Sequence, residues 1–356
     1  MLSLKKNSIT LGRNVNFLAY TFFAKRSFLN AEKNCFICTQ MRNANYSLAE
    51  LPNQQMKTVL GVDIGGNHVK MALVDSTGAI NQFQSYYTSE FRESGDFIDK
   101  LISTIRFRLV DAGPEVKSIG IGFPGTLSKD RNRTLEIPAI SELNGKPIGE
   151  LLKAALPDCE VFLENDANAA ALGELHFSKN LVPDDFAFIT LGTGIGSAYV
   201  QDRKIFIGAD GNALELGHII SRNGLKLEQN IGKQGILNLA SKRLADYKGE
   251  TTISKLKPIS ATEMVLAAGA GDLFSREVFY ETGNVLGEGL VALIRILDVK
   301  YILIGGGLSA SFEFVKPGVE KVLFEYLTPY YLDGLVITKA SLGNDAGLLG
   351  AASLCL

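Results

Sequence analysis

One aspartate in this sequence is placed where it could take up a proton. Asp166 follows a short strand-like stretch at residues 160–164 and begins an alanine-rich stretch typical of a helix. An Asn or Asp at such a junction is often only the helix N-cap, and Asn165 or Asp166 could fill that role. The positive end of a helix dipole also stabilises an ionised carboxylate, which is the form that a general base needs. We therefore predict a catalytic base at Asp166.

Two glycine-rich loops each join one strand to the next. Residues 65–67 lie between apolar stretches at residues 58–62 and 69–74, and residues 192–196 have the same setting. Walker A and dinucleotide-binding loops instead join a strand to a helix, so the sequence disfavours both of those nucleotide folds. The shared plan of the two loops predicts an internal repeat.

These loops suit phosphate, because glycine N–H groups can approach phosphate oxygens without steric hindrance. Asp63 would repel phosphate, and its useful role would be to hold Mg²⁺ through water. Lys70 could reach a phosphate or pair with Asp63. A third cluster, residues 305–307, ends an apolar strand and could lie against adenine or ribose. Turns that require glycine are the alternative explanation for the first two loops. The predicted contacts to ATP are Asp63, Gly65, Gly66, Asn67, Lys70, Gly192, Thr193, Gly194, Gly196, Gly305, Gly306 and Gly307.

Glu215 and His218 are three residues apart, so a helical turn would place both side chains on one face. Such a pair can grip neighbouring hydroxyl groups of a sugar, with the carboxylate accepting and the imidazole donating. An incidental pair is the alternative, and a metal site would need further ligands. With a base and a triphosphate site, the sequence has a candidate for each task of a phosphoryl transfer.

Alternating strands and helices must hold these side chains. The alternation predicts an α/β chain of two related lobes with a central cleft, in which the longest helical pattern spans residues 261–298. We assign residues 56–166 to the first lobe and residues 167–344 to the second. A helix at residues 345–356 is predicted to pack back on the first lobe.

Composition limits the kinds of partner. The 356 residues are 46% apolar with a formal net charge of -2, which gives no global attraction for nucleic acid or an anionic membrane. We therefore expect small-molecule partners. Four scattered cysteines fit a reducing compartment, and we expect a cytoplasmic protein. Cys35 and Cys38 form a single C-x-x-C pair, which alone is a weak sign of metal or redox chemistry.

Residues 1–55 differ from the rest of the chain. Up to Ser47 they are basic, with Glu32 as the one acidic residue, and rich in Ser and Asn. This composition resembles a transit peptide, and the alternative is a start codon placed too early, with the chain beginning at Met56. We expect this stretch to be disordered and outside the fold.

Six ordered motifs resemble those of the ROK family of sugar kinases and related repressors, over about residues 57–354. They are Asp63-Ile64-Gly65-Gly66 through Lys70, Gly122-Phe123-Pro124-Gly125, Glu164-Asn165-Asp166-Ala167-Asn168-Ala169, Leu191-Gly192-Thr193-Gly194-Ile195-Gly196, Glu215-Leu216-Gly217-His218 and Gly305-Gly306-Gly307. The resemblance implies two ribonuclease-H-like lobes of the actin and hexokinase type, closing over ATP and a sugar, with Asp166 as the base. The implied sugar contacts are Asn165, Glu215, His218 and Gly125.

The resemblance therefore implies ATP-dependent phosphorylation of a hexose, with glucose and its 6-hydroxyl as the first choice, by a homodimer that uses ATP and Mg²⁺. The family's repressors leave a non-catalytic sugar sensor as the alternative. Those repressors carry an N-terminal helix-turn-helix, and residues 1–55 show no convincing pair of amphipathic helices.

This sequence departs from the family in two places. Many members carry a cysteine-rich zinc motif, whereas residues 229–238 keep only its glycines, so we expect no zinc. Asn238 replaces the usual sugar-binding glutamate, and Leu214 replaces a glycine next to Glu215. The thiol-free version resembles the polyphosphate glucokinase branch, which leaves polyphosphate as an alternative donor.

Overall fold

The structure is a computed structural model that describes residues 57–93, 95–256 and 258–356. The predictions for residues 1–55, including the pair of Cys35 and Cys38, and the alternative start at Met56 lie outside the described residues.

A five-stranded sheet forms the first half of the described chain. Its strands are β1 (Thr58–Ile64), β2 (His68–Asp75), β3 (Ile80–Tyr87), β4 (Ser118–Phe123) and β7 (Glu160–Asn165), and a separate hairpin is formed by β5 (Thr126–Leu127) and β6 (Thr134–Glu136). The spatial order is β3-β2-β1-β4-β7, in which β3, β2 and β1 are antiparallel neighbours and β1, β4 and β7 run parallel. All six residues of β4 are buried, as expected for a central strand covered on both faces.

The second sheet repeats this plan. Its strands are β8 (Phe186–Leu191), β9 (Ile195–Gln201), β10 (Lys204–Ile205), β11 (Tyr301–Gly305) and β12 (Val336–Lys339). The order is β10-β9-β8-β11-β12, again with an antiparallel hairpin followed by parallel neighbours. The predicted internal repeat is thus confirmed at the level of the sheets, and each predicted glycine loop joins the first two strands of its sheet.

The described helices lie between and after these strands. They are α1 (Thr88–Glu93), α2 (Phe97–Ala112), α3 (Ile148–Ala155), α4 (Asp166–Phe177), α5 (Leu227–Ile231), α6 (Lys233–Asp246), α7 (Ala261–Gly269), α8 (Leu273–Leu297), α9 (Phe312–Tyr326), α10 (Pro329–Leu332) and α11 (Ala346–Ser353). Among the described residues, no helix combines the length and the apolar character that crossing a membrane requires.

Helices α4 and α11 cross in direct backbone contact. Gly173 of α4 and Gly350 of α11 let the backbones touch, since a Cβ at Gly173 would lie 2.5 Å from the carbonyl oxygen of Ala346. A Cβ at Gly350 would collide with the carbonyl oxygen of Ala169. No side chain fits between the helices here, so their separation is set by the two glycines.

Helix α11 also packs against the first sheet, although it follows the second sheet in the chain. A Cβ at Gly61 of β1 would lie 2.8 Å from the carbonyl oxygen of Leu348, and one at Gly120 of β4 would collide with that of Ala351. The assignment of the C-terminal helix at residues 345–356 to the first lobe stays a prediction. The lobe limits at residues 166 and 344 remain predictions.

One predicted element is wrong. The helical pattern at residues 261–298 is two helices, because Gly271 adopts a φ of +98° after α7 and Asp272 caps α8 by accepting a hydrogen bond from the Ser275 N–H at 2.8 Å. Strand β3 and helix α9 were not predicted. Strand β3 is a largely exposed strand with a polar sequence, and α9 contains Pro317, which argues against a helix.

Candidate active site

Three strand ends meet at one edge of the first sheet. Because β1, β4 and β7 are parallel, their carboxyl ends lie side by side, and the register pairs Asp63 with Gly122 and Gly122 with Glu164. Asp166 follows β7 directly and lies over β4, since a Cβ at Gly122 would be 3.8 Å from the Cα of Asp166. Asp166 therefore lies beside the carboxyl ends of β4 and β1, near Asp63.

Asp63 is held by the opposite strand and by α11. Lys70 faces it across the β1–β2 ladder, with Nζ 3.3 Å from Oδ2, and also donates to the carbonyl oxygen of Asn344 at 2.9 Å. A Cβ at Gly347 would lie 2.9 Å from the Asp63 carboxyl carbon, so the first turn of α11 lies against it. Burial raises the pKa of Asp63, and the nearby Lys70 ammonium lowers it. Of the two roles considered for Lys70, the structure shows the pairing with Asp63.

The first glycine loop is a tight hairpin turn. The Gly65 N–H donates to the His68 carbonyl oxygen at 2.8 Å, and the Thr88 hydroxyl donates to the Gly65 carbonyl oxygen at 2.7 Å. Gly66 and Asn67 are exposed at the tip. Their predicted contact with phosphate stays a prediction, because the turn geometry explains one glycine by itself.

The helix cap distinguishes two neighbouring side chains. Asn165 is the N-cap of α4, and its Oδ1 accepts from the N–H groups of Ala167 at 2.9 Å and Asn168 at 3.1 Å. Its Nδ2 donates to the Gly125 carbonyl oxygen at 2.9 Å. Asp166 is the first helical residue, so its carboxylate is not needed as the cap and is available for chemistry.

The charge state of Asp166 differs from our expectation. Burial, and after it the negative charges of Asp63 and Glu215, raise the pKa of Asp166 to about 7, while the Ala167 N–H lowers it. We expected the helix N-terminus to keep Asp166 ionised, but burial and the neighbouring carboxylates outweigh that effect. A pKa near neutrality suits a residue that must accept a proton at physiological pH.

Glu215 and His218 do share one face of a helical turn, which is a 3₁₀ turn spanning Leu216–His218. His218 Nδ1 lies 3.8 Å from Glu215 Oε2, and its Nε2 lies 3.3 Å from Glu228 Oε1. Burial raises the pKa of Glu215 and Glu228 raises it further, whereas His218 lowers it. Leu214 has a φ of +67°, so this leucine keeps the backbone conformation that the family's glycine would favour.

The second glycine loop packs against the start of α6. The Lys233 N–H donates to the Gly192 carbonyl oxygen at 2.9 Å, and a Cβ at Gly194 would lie 2.5 Å from Glu228 Oε2. Gly196 needs to be small for another reason, since a Cβ there would lie 2.7 Å from the Thr190 hydroxyl oxygen. Thr193 is exposed at the tip of the loop.

The third cluster follows β11, beside the end of β8. Gly306 has a φ of +85°, and a Cβ there would collide with the Leu191 backbone, whose carbonyl oxygen accepts from the Leu308 N–H at 2.8 Å. A Cβ at Gly305 would lie 2.7 Å from the Phe188 ring, so packing explains that glycine. Gly307 is exposed with no atom near its missing Cβ, which leaves it open to a ligand. The glycines after β8 and β11 thus lie at one edge of the second sheet.

Three charged residues of this region escaped the sequence-based predictions of function. Glu164 was quoted only as part of a motif, Arg131 lies in a polar hairpin without a recognisable pattern, and Glu228 precedes the degenerate zinc motif. Asn238, which replaces the family's glutamate, is exposed on α6, where its Oδ1 accepts from Gln234 Nε2 at 2.8 Å. The carboxylate nearest His218 is therefore supplied by Glu228 of α5.

The chemistry of the first sheet's edge fits a magnesium ion bound with phosphate. Asp63 and Asp166 repel each other strongly enough to raise the pKa of Asp166, and a divalent cation would relieve that repulsion. One or two carboxylates with waters and phosphate oxygens are the usual ligands of Mg²⁺. Over residues 57–93, 95–256 and 258–356, no three His, Cys, Asp or Glu side chains cluster closely enough to enclose a metal by themselves.

Comparison with known proteins identifies relatives along almost the whole described chain. The model of the ROK family matches residues 59–356. A glucokinase of Thermotoga maritima is 30% identical over an alignment of 310 positions, which covers 83% of this chain and 96% of that protein. The crystal structure of a Cytophaga hutchinsonii protein has a TM-score of 0.79 at 35% identity, covering 84% of this chain and 99% of that one. A Streptomyces griseus ROK family glucokinase, solved with glucose and AMPPNP, has a TM-score of 0.71 at 28% identity, covering 83% and 98%.

The two repeated sheets and the crossing helices define the fold as two ribonuclease-H-like lobes of the actin and hexokinase type, as predicted. The chain belongs to the ROK family, and it is a glucokinase-like sugar kinase.

Proposed function

We propose that this protein transfers the γ-phosphoryl group of ATP to the 6-hydroxyl of glucose, with Asp166 as the general base. The observation that carries the proposal is the setting of Asp166 directly after β7, beside the strand end that carries Asp63. Asp63 belongs to the first glycine hairpin and Glu215 to the candidate sugar pair, and both are close enough to raise the pKa of Asp166. A base at that point is in reach of both predicted substrates.

In the proposed reaction, Asp166 accepts the proton of the sugar hydroxyl as the oxygen of that hydroxyl attacks the γ-phosphorus. The bond from the γ-phosphorus to the bridging oxygen breaks, and ADP leaves with that oxygen. Bound Mg²⁺ would neutralise charge on the phosphate oxygens, and Asp63 is the residue proposed to hold it through water. Lys70 keeps Asp63 oriented through the pair at 3.3 Å.

The proposed sugar ligands are Asn165, Gly125, Glu215 and His218. Hydrogen bonds to the first turn of α4 and to the Gly125 carbonyl oxygen hold the Asn165 amide in one orientation. Its second N–H is therefore already oriented before a sugar binds. Glu215 can accept from a sugar hydroxyl while His218 donates to a neighbouring one. These contacts lie away from the transferred group and would select the sugar rather than accelerate the reaction.

The proposed nucleotide contacts are the exposed parts of the three glycine clusters: the tip at Gly66 and Asn67, the tip at Thr193, and Gly307. Glucose and AMPPNP in the Streptomyces griseus relative support glucose as the acceptor and ATP as the donor. The glucokinase of Thermotoga maritima supports the same acceptor.

A panel of hexoses and N-acetylhexosamines incubated with either ATP and Mg²⁺ or polyphosphate tests the proposal. We expect a 6-phosphate from glucose with ATP, detected by coupled assay and mass spectrometry. Product formed with polyphosphate but not with ATP would contradict the proposal that ATP is the phosphoryl donor. Tight binding of a sugar by calorimetry, without product from any donor, would contradict the kinase and favour a sugar sensor.

A further inference from the structure

A buried carboxylate lies directly before the proposed catalytic pair. Glu164 is 8% exposed, and its Oε1 accepts hydrogen bonds from the Asn165 N–H at 2.8 Å and from Asn168 Nδ2 at 3.0 Å. The backbone that presents Asn165 and Asp166 is therefore attached to the Glu164 side chain. A carboxylate so placed needs a cation to offset the cost of its burial.

Arg131 supplies that cation from the hairpin between β5 and β6. Its Nε donates to Glu164 Oε2 at 3.1 Å, and its Nη2 lies 2.9 Å from Glu164 Oε1, close enough for an ion pair but without the alignment of a second hydrogen bond. Its remaining nitrogen, Nη1, donates to the Gly211 carbonyl oxygen at 2.7 Å. One side chain thus contacts two segments that are 33 and 80 residues away in sequence.

The second segment leads to the sugar pair. Gly211 lies four residues before Glu215, and its φ of +89° favours glycine. A Cβ at Gly211 would lie 2.8 Å from both the Lys129 Cα and Arg131 Nη1, so this loop packs closely on the hairpin. The same hairpin makes a second contact to this loop, since the Leu127 N–H donates to Asn212 Oδ1 at 3.1 Å. After Glu215, the Ser197 hydroxyl of β9 accepts a hydrogen bond from the Leu216 N–H at 3.0 Å. This contact holds the end of the loop that follows Glu215.

Arg131 adopts a strained backbone to make these contacts. Its φ is +57°, in the left-handed region that disfavours residues other than glycine. Strain of this kind persists where surrounding contacts over-determine a conformation, and such positions concentrate at functional sites.

We propose that Arg131 is a positioning residue of the sugar site. It fixes the distance between the Asn165 and Asp166 segment, which belongs to the first sheet, and the loop that carries Glu215. The sugar must contact both segments at once, so the guanidinium sets the width of the pocket without touching the sugar. The inference rests on the proposed sugar ligands, but it does not depend on phosphoryl transfer.

The test compares Arg131→Ala, the double variant Arg131→Ala/Glu164→Gln and the control Arg133→Ala. Removing Arg131 alone leaves Glu164 buried and unpaired, and Gln at 164 removes that charge while its amide oxygen still accepts from Asn165 and Asn168. Arg133 is exposed in the same hairpin and donates to the Gly145 carbonyl oxygen at 2.5 Å. Calorimetry with glucose in the absence of ATP measures sugar affinity, and urea unfolding measures stability.

We expect the double variant to regain stability relative to Arg131→Ala while its glucose Kd stays about tenfold or more above wild type, as for a lost charge-assisted hydrogen bond. Added guanidinium should restore part of the affinity of Arg131→Ala. The ATP KM of each variant should stay within about twofold of wild type. All parameters of Arg133→Ala should do so as well, because Arg133 shares no contact with Glu164 or Gly211 and substitutions at such independent sites do not couple.

Wild-type glucose affinity in the double variant would overturn the proposal, because Arg131 would then serve only to neutralise Glu164. Absence of sugar binding by the wild-type protein would overturn it as well. If wild type and variants bind glucose as expected but form no glucose phosphate, the positioning role stands and the proposed kinase reaction fails.

Discussion

Replacing Asp166 with Asn tests the base with little change in shape. The cap belongs to Asn165, so the first turn of α4 keeps its hydrogen bonds in the variant. Asp166 Oδ1 accepts from the Ala167 N–H at 2.8 Å, and the Asn oxygen can do the same. The variant therefore removes proton acceptance and leaves the local fold in place.

We expect kcat to fall by about 10²–10⁴, the usual effect of losing a general base, which corresponds to about 3–5 kcal/mol of barrier. The pKa of about 7 adds a pH signature. Wild-type kcat/KM should fall as the pH drops through that value, whereas the Asn variant has no such group and should be flat there. About one pH unit below the pKa, only about a tenth of Asp166 is ionised. The ratio of wild-type to variant kcat/KM should therefore be about tenfold smaller there than at alkaline pH.

The stability of the wild-type protein should change with pH in the direction opposite to kcat/KM. The folded-state pKa of Asp166 lies above its unfolded value, so stability present at low pH is lost as the pH rises through about 7. The Asn variant has no such loss and should be at least as stable as wild type at pH values above that point. Urea unfolding at acidic and alkaline pH measures this difference.

The assays are steady-state kinetics from acidic to alkaline pH, with glucose varied from below to above its KM at saturating ATP, on protein shown to be folded by circular dichroism. Turnover within a few-fold of wild type, with the acid limb of the pH profile retained, would refute the assignment of Asp166. A variant that is inactive because it is unfolded would be recognised from its circular dichroism, and Asp166→Ala, which also lacks the carboxylate, would then be measured instead.

Three further predictions follow from the same geometry. Glu215→Ala should raise the sugar KM by about 10- to 150-fold, the loss of one charged hydrogen bond, with the ATP KM unchanged; a raised ATP KM alone would place the sugar elsewhere. Gly350→Ala should lower the free energy of unfolding, measured in urea, by about 1–3 kcal/mol or more, because its Cβ would collide with the Ala169 carbonyl oxygen. Gly269→Ala in α7 is the control and should be neutral or slightly stabilising, since the added Cβ would have no atom within 4 Å. Activity should need Mg²⁺ and purified protein should hold no stoichiometric zinc, which elemental analysis checks; one zinc per chain would contradict the reading of residues 229–238.

The sequence predicted the elements that carry a strong local signal. The β1–β2 and β8–β9 hairpins combine apolar strands with glycine turns, and helix α4 begins where the Asn-Asp pair indicates. Their common plan allowed the two-fold repeat to be predicted before any contact was known. These features depend on a few neighbouring residues, so one sequence is enough to find them.

Other properties depend on residues that are far apart in the chain. The Arg131 contact with Glu164 could not be predicted, because nothing in a polar hairpin specifies which buried carboxylate it will reach. The pKa of Asp166 depends on burial by other elements and on Asp63, about a hundred residues earlier, so the local helix dipole gave the wrong expectation. The break at Gly271 was missed because apolar periodicity continues across it from α7 to α8.

The packing of α11 on the first sheet has a consequence for synthesis on the ribosome. Strands β1 and β4 are complete by residue 123, but the helix that covers Gly61 and Gly120 begins only at Ala346. The first half therefore cannot reach its final packing while translation proceeds, and its nascent sheet waits with an uncovered apolar face for over two hundred residues. Such a chain is exposed to aggregation during synthesis and gains from chaperone protection until its last helix docks.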